Sequence, residues 1–232
     1  MFTKNDKLNT LLPYFLPYFA FIGIRAIADL FPHGLYAGYI CAYAAAAFFL
    51  LRYRKEYSEM QGSRILFPDF FWALFAGLIG IAIWILPYHF LGSFSKTDGF
   101  FGLMGGQRTA VNPHLLTKGC FLPFILLRSA GYIFITPIFE ELFIRSFLWR
   151  YIINPDDVRA VAIGKYTTFA FWGTAILFSL SHNEWIVALL YAAIINLLLI
   201  TRKDIRLCMI AHGFSNAILA VYVLVSGKWF LW

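Results

Sequence analysis

From the N-terminus onward, long apolar runs alternate with short connections that hold most of the charge. Seven runs stand out, at about 10–31, 35–51, 66–92, 119–153, 167–182, 185–201 and 207–225. Several approach or exceed the roughly 20 residues that cross a bilayer as a helix. The pattern predicts an all-α, polytopic integral membrane protein, residues 1–232 forming one membrane domain. The fourth run is long enough to extend past the interface. Residues 93–118, rich in glycine, are the one long polar connection and read as a surface loop. No internal repeat or low-complexity tract interrupts the series. An eighth crossing or a re-entrant segment would change the side on which the chain ends.

Composition sharpens this picture. The chain has 232 residues, of which 61% are hydrophobic, 20% aromatic and only 13% charged. Mean hydropathy is +0.71, and the length leaves no room for a separate soluble domain. The net charge of +7 is not a nucleic-acid footprint, because the basic residues sit mostly in loops where they set orientation. With the N-terminus in the cytoplasm, twelve Lys and Arg fall inside, from Lys4 to Arg206, and four outside: Lys96, Arg108, Lys118 and Lys228. That bias predicts the N-terminus inside and the C-terminus outside. Trp149, Trp185, Trp229 and Trp232 read as interfacial. Cys41, Cys120 and Cys208 have no metal or disulfide spacing and read as small hydrophobes. The first run is too long for a cleaved signal peptide and contains Arg25 and Asp29.

Candidate chemistry lies in the last hundred residues. Glu140 and Glu141 are adjacent in an apolar run, where each charge costs on the order of 2.5–3.5 kcal/mol on insertion scales. Arg145, one turn after Glu141, is placed to neutralise one carboxylate and leave the other poised. Phe178 and His182 form a second one-turn pair, and His212 and Asn216 a third. Each pair alone is compatible with helix packing. Together, two carboxylates, two imidazoles and an amide in apolar segments are what a water-activating site in the bilayer requires.

Other membrane-protease chemistries are absent: the sequence has no HExxH, no GxSG or GxSxG, and no GxGD. Ser179, Ser181 and Ser215 read as helix hydrogen-bonding residues. Arg25 and Asp29 either pair or lie near the outer end of the first run. Arg128 is expected to snorkel toward outer headgroups, and His89 and His114 to be interfacial or loop residues.

The ordered set EExxxR, FxxxH and HxxxN resembles that of the CAAX prenyl protease and bacteriocin-processing family, typified by the type II CAAX endopeptidase. The resemblance covers residues 119–225, the motif-bearing core. Size and aromatic content are also similar to the small CAAX-protease-related proteins that accompany bacterial exosortases, which implies a prokaryotic plasma or inner membrane. The resemblance implies an intramembrane endopeptidase acting on a membrane-associated protein or peptide, with lipid as its other partner. Glu140 with His182 would activate water, His212 and Asn216 would stabilise the oxyanion, and Arg145 would pair with Glu141. Family accounts divide between a glutamate-dependent hydrolase and a metalloprotease. In the latter, Glu140, His182 and His212 would hold one divalent metal such as zinc, leaving a position for water.

Straight helices would separate His182 and His212 by roughly 20 Å at 1.5 Å rise per residue. A single site therefore demands short, tilted or broken helices: either segment five continues past His182, or residues 202–206 dip into the protein. A non-catalytic scaffold uses the same polar cluster for packing. An ion-coupled transporter also draws on intramembrane carboxylates, but no inverted repeat supports it.

Overall fold

The computed structural model describes residues 4–62, 64–90, 111–182 and 184–232. Every regular element among them is helical. Helix α1 (Lys4–Asp29), α2 (Gly34–Arg52) and α3 (Phe67–Phe90) precede a long helix α4 (Lys118–Ile153); α5 (Thr168–Leu180), α6 (Trp185–Arg202) and α7 (Ile205–Ser226) follow. Six of the seven are long and apolar enough to cross a membrane, and α5 is the shorter apolar one. The chain is an integral membrane protein. The loop expected at 93–118 falls mainly on residues 91–110, which lie outside the described residues, as does the side chain of His89.

Small residues set how closely the first two helices approach. Gly34, Gly38, Ala42 and Ala46 recur at one-turn spacing along α2, and both alanines are fully buried. A Cβ on Gly34 would lie 2.2 Å from the Ala28 carbonyl oxygen, and one on Gly38 would lie 2.3 Å from Ala28 Cβ. Close backbone approach of this kind is how helices associate where burial from water gives no drive.

Prolines create acceptors that the fold then uses. Pro17 has no N–H, so the carbonyl of Pro13 loses its intrahelical partner. The Tyr57 hydroxyl donates to that carbonyl at 2.7 Å from the α2–α3 connection. Burial pushes the Tyr57 phenol above its ordinary range, so it stays protonated and donating at neutral pH. Beside it, Arg150 Nη2 donates to Glu59 Oε1 at 3.0 Å and to Tyr14 Oη at 3.2 Å, and Ser146 Oγ also donates to Glu59. This buried cluster joins α1, the α2–α3 connection and the far end of α4.

Helix α4 is continuous but not uniform. Residues Gly131–Ile135 and Leu142–Leu148 take π geometry, with α-helical turns before, between and after. Pro137 lies just past the first π turn and removes a further intrahelical donor. Gly131 is buried where this turn begins, and a Cβ there would lie 2.4 Å from the Tyr43 ring.

Several side chains sit elsewhere than the sequence pattern predicts. Arg128 does not reach headgroups: it is 1% exposed, with Cζ 4.0 Å from the Tyr39 ring centre and 4.5 Å from that of Trp232. Aromatic faces take the place that outer headgroups were expected to fill. Trp149 is fully buried and donates its indole N–H to the Lys165 carbonyl at 2.9 Å, and Trp232 is buried too; both rings pack inside the protein rather than facing lipid. Arg25 lies over Tyr39 rather than pairing with Asp29, which is exposed at the end of α1. The serines behave as expected, Ser179, Ser181 and Ser215 donating to the carbonyls of Ile176, Phe178 and Ala211.

Replacing Gly131 with Ala forces the added methyl into the Tyr43 ring, and overpacking of this kind costs about 1–3 kcal/mol. Thermal unfolding in detergent is expected to show a clearly lowered midpoint for Gly131→Ala. Gly119→Ala, where a Cβ meets nothing within 4 Å, is expected to leave the midpoint nearly unchanged.

Candidate active site

Glu140 and Glu141 are neighbours on α4, so their side chains point about 100° apart around its axis. Glu141 faces inward and is fully buried, while the Glu140 side chain keeps 17% of its surface exposed. Arg145 Nη1 donates to Glu141 Oε1 at 3.1 Å, and Nε donates to Asn196 Oδ1 at 3.2 Å. The same guanidinium lies 4.5 Å from the Phe178 ring centre. One buried cation thereby ties α4 to both α5 and α6. The Asn196 amide completes the network by donating to the Phe171 carbonyl at 2.8 Å and to Thr174 Oγ1 at 3.1 Å.

His212 comes to the same carboxylate from α7, its Nδ1 lying 2.8 Å from Glu141 Oε1. A carboxylate that accepts from one ring nitrogen fixes the imidazole's orientation and tautomer. The other nitrogen, Nε2, then lies 3.9 Å from Glu140 Oε2. That separation is too long for a direct hydrogen bond.

The first π turn and α7 fit each other. Asn216 Nδ2 donates to the Tyr132 carbonyl at 2.8 Å, taking up an acceptor in the irregular stretch. A Cβ on Gly213 would lie 2.9 Å from the Ile133 carbonyl oxygen, so only glycine allows α7 to come so near. The HxxxN motif therefore has a packing residue between its two ends, and its amide is already engaged with the backbone of α4.

His182 stands just past the end of α5. Its Nδ1 lies 2.9 Å from the Phe178 carbonyl oxygen and 3.1 Å from Ser181 Oγ. The Phe178 ring is 4.5 Å from the His182 ring and 6.2 Å from the His212 ring, centre to centre. One aromatic thus touches both histidines, far inside the separation that straight spanning helices would give. Segment five does not continue past His182 but stops at Leu180. With 13 residues, α5 is only about 20 Å long, short of the roughly 30 Å hydrocarbon core. The short helix brings His182 beside Phe178 without any long excursion of the α6–α7 turn.

Glu140, His182, His212 and Asn216 line one cavity of about 500 Å³, together with Tyr18 and Tyr191. Glu141 and Arg145 stand behind this wall and do not line it. Tyr191 and Asn196 were not singled out from the sequence. Asn196 carries a signal, as an amide inside an apolar run; Tyr191 carries none among 13 tyrosines. Tyr191 packs 5.7 Å from the His212 ring and fits only because residue 80 is glycine, whose Cβ would meet the Tyr191 ring at 2.5 Å.

The ligand set Glu140, His182 and His212 is not assembled around a point. Among the described residues, no three His, Cys, Asp or Glu side chains converge as a metal ion needs. The ring of His182 is turned to the Phe178 carbonyl instead. The residues as arranged do not fit a bound metal, and no step below runs through one.

Residues 122–218 match the family profile described as type II CAAX prenyl endopeptidase, Rce1-like. No curated protein and no solved structure matches the chain. The matched stretch contains all three motifs and runs from α4 into α7, the helices whose side chains meet around Glu140 and Glu141. Over that stretch the chain is similar to the Rce1-like type II CAAX prenyl endopeptidases.

Proposed function

We propose that this protein hydrolyses a peptide bond of a membrane-associated protein or peptide, with Glu140 as general base. The observation that carries the reading is the division of labour between the two adjacent carboxylates. Glu141 is closed in by Arg145 and His212, while Glu140 faces the cavity within 3.9 Å of His212 Nε2. A water seated between Glu140 and His212 would have a proton acceptor on one side and an oriented imidazole on the other.

In this reading the water oxygen attacks the peptide carbonyl carbon and gives its proton to Glu140. The carbonyl oxygen becomes an oxyanion, for which the second N–H of the Asn216 amide and the His212 ring are the candidate partners. Glu140 then returns the proton to the amide nitrogen as the C–N bond breaks, which leaves a carboxylic acid and an amine; the acid's proton passes to the amine, giving carboxylate and ammonium products. His182, beside the Phe178 ring in the same cavity, positions the peptide chain or shares the water with Glu140. Arg145 acts through Glu141 and is a positioning residue.

The positive-inside count supports a cytoplasmic N-terminus, which sets the Glu59–Arg150 cluster on the cytoplasmic side. Arg25 and Arg128 are then toward the opposite face. The resemblance to the small CAAX-protease-related proteins that accompany bacterial exosortases supports a prokaryotic plasma or inner membrane.

Two substitutions separate chemistry from architecture. Glu140→Gln is expected to lower turnover of a candidate membrane-anchored peptide in proteoliposomes by at least about 100-fold, the lower end of what general acid–base catalysis contributes. Its unfolding midpoint is expected to stay close to that of the unaltered protein. Undiminished turnover would remove Glu140 from the chemistry, and an equal loss of folding would make it a packing residue of a scaffold.

Arg145→Leu is expected to do the reverse. Removing one partner of a buried ion pair costs about 3–5 kcal/mol, because the remaining charge is left uncompensated. Thermal unfolding of this variant is expected to show a large drop in midpoint. Changing Glu141 to Gln as well is expected to restore part of it, since the stranded charge is then gone.

A further inference from the structure

Helix α1 lies outside the matched stretch 122–218, yet it lends a phenol to the cavity that holds Glu140. Tyr18 is buried and lines that cavity. Its ring stacks on Phe143 at 4.4 Å and meets Phe139 edge-on at 6.0 Å, centre to centre. These two aromatics flank the Glu140–Glu141 pair on α4. One turn earlier on α1, Tyr14 donates to Glu59 Oε1 at 2.9 Å and stacks on Phe147 at 5.7 Å. Both contacts lock α1 in register against α4. The Tyr18 ring is therefore held in place, and only its O–H can turn.

That hydroxyl faces the Glu140 carboxylate and Ser181. Ser181 gives its own proton to the Phe178 carbonyl at 2.7 Å, so its oxygen is left to accept from Tyr18. A phenol donates without ionising, and it exchanges acceptors by rotating about its C–O bond. Hydrolysis asks for such a donor. His212 commits its Nδ1 proton to Glu141 at 2.8 Å, so Nε2 of the neutral ring carries none. Asn216 has one of its two N–H bonds engaged by the Tyr132 carbonyl at 2.8 Å. The one N–H that remains is slender support for an oxyanion, whose stabilisation is commonly the largest catalytic effect.

We propose that Tyr18 is a further catalytic residue, its O–H donating to the oxygen of the cleaved carbonyl as that oxygen takes on charge. This rests on the reading of Glu140 as the base. Water adds to the carbonyl carbon and its proton goes to Glu140, while Tyr18 keeps its own proton throughout. Only the acceptor changes, from the Ser181 oxygen to the oxyanion. A phenol that donated to Glu140 instead would weaken the base. Ser181 holds the donor off that carboxylate until a carbonyl oxygen takes its place. The reaction centre is then completed by a helix from the other end of the chain, and the motif-bearing helices alone are one donor short.

Pooled N-palmitoylated octapeptides in proteoliposomes, followed by mass spectrometry, supply the probe: a peptide that the full-length protein cuts and its Glu140→Gln variant does not. Absence of any such peptide overturns the reading of Glu140, and this assignment with it. Once that peptide is in hand, the outcome for Tyr18 is separate. Tyr18→Phe keeps the ring on Phe143 and removes only the hydroxyl. It is expected to lower kcat about 100-fold, the loss that follows removal of one oxyanion donor, with KM within about twofold. Two inhibitors of the same sequence separate contact from packing. A phosphinate, whose tetrahedral oxygens mimic the intermediate, is expected to bind Tyr18→Phe at least about tenfold more weakly. A reduced amide, which has no oxygen at that position, is expected to bind both proteins alike. An unchanged kcat, an equal loss for both inhibitors, or an unfolding midpoint that falls together with kcat would overturn the assignment. So would a Ser181→Ala variant that reproduces the whole effect, since Tyr18 would then act by way of the His182 turn.

Discussion

The buried ion pair between Glu141 and Arg145 is the constraint around which the C-terminal helices are arranged. In hydrocarbon there is no water to satisfy a stranded charge, so each member must find its partners within the protein. Arg145 finds them on α4 itself and on α6, and stacks on an aromatic from α5. Glu141 takes a second partner from α7. Four helices are thus committed to one small group of atoms. A pair of this kind adds little net stability over an apolar core; its contribution is to specify one register among greasy helices that would otherwise slide.

The same pair explains why the neighbouring carboxylate is different. Adjacent positions on a helix cannot both face inward. With Glu141 drawn into the interface, Glu140 is turned toward the cavity, and His212, pinned by one nitrogen, offers it the other. The π turns on either side of the acid pair have a similar origin. Widened turns recur at functional sites because they re-aim side chains and leave carbonyls to be satisfied from elsewhere. Here Asn216 satisfies one of them.

Much of this was legible in the chain. The apolar runs were bounded to within a few residues, since hydrophobic length is imposed by the solvent rather than by partners. The Glu141–Arg145 pair followed from one-turn spacing. What the chain did not disclose were relations between helices. Nothing local says that Arg128 stacks on rings instead of reaching headgroups, or that Trp149 is buried. Nor does local pattern reveal that Tyr191 fills a space left by Gly80. Residues 167–182 read as a full crossing, because apolar content is visible in sequence while the stopping point of α5 depends on the Ser181 and His182 turn. The placement of His182 beside Phe178 and His212 follows from that early stop.

The shortness of α5 also bears on the lipid around it. A helix about 10 Å shorter than the hydrocarbon core cannot be accommodated by tilting, which helps only helices that are too long. The bilayer must instead pinch inward at that place, or water must fill the gap above the turn. Either response would bring the aqueous phase toward His182 and, on the hydrolytic reading proposed above, supply the attacking water. The thickness of the host membrane then becomes a variable that sets how readily water arrives, so that a thick, ordered bilayer and a thin, fluid one present the same chain with different degrees of hydration.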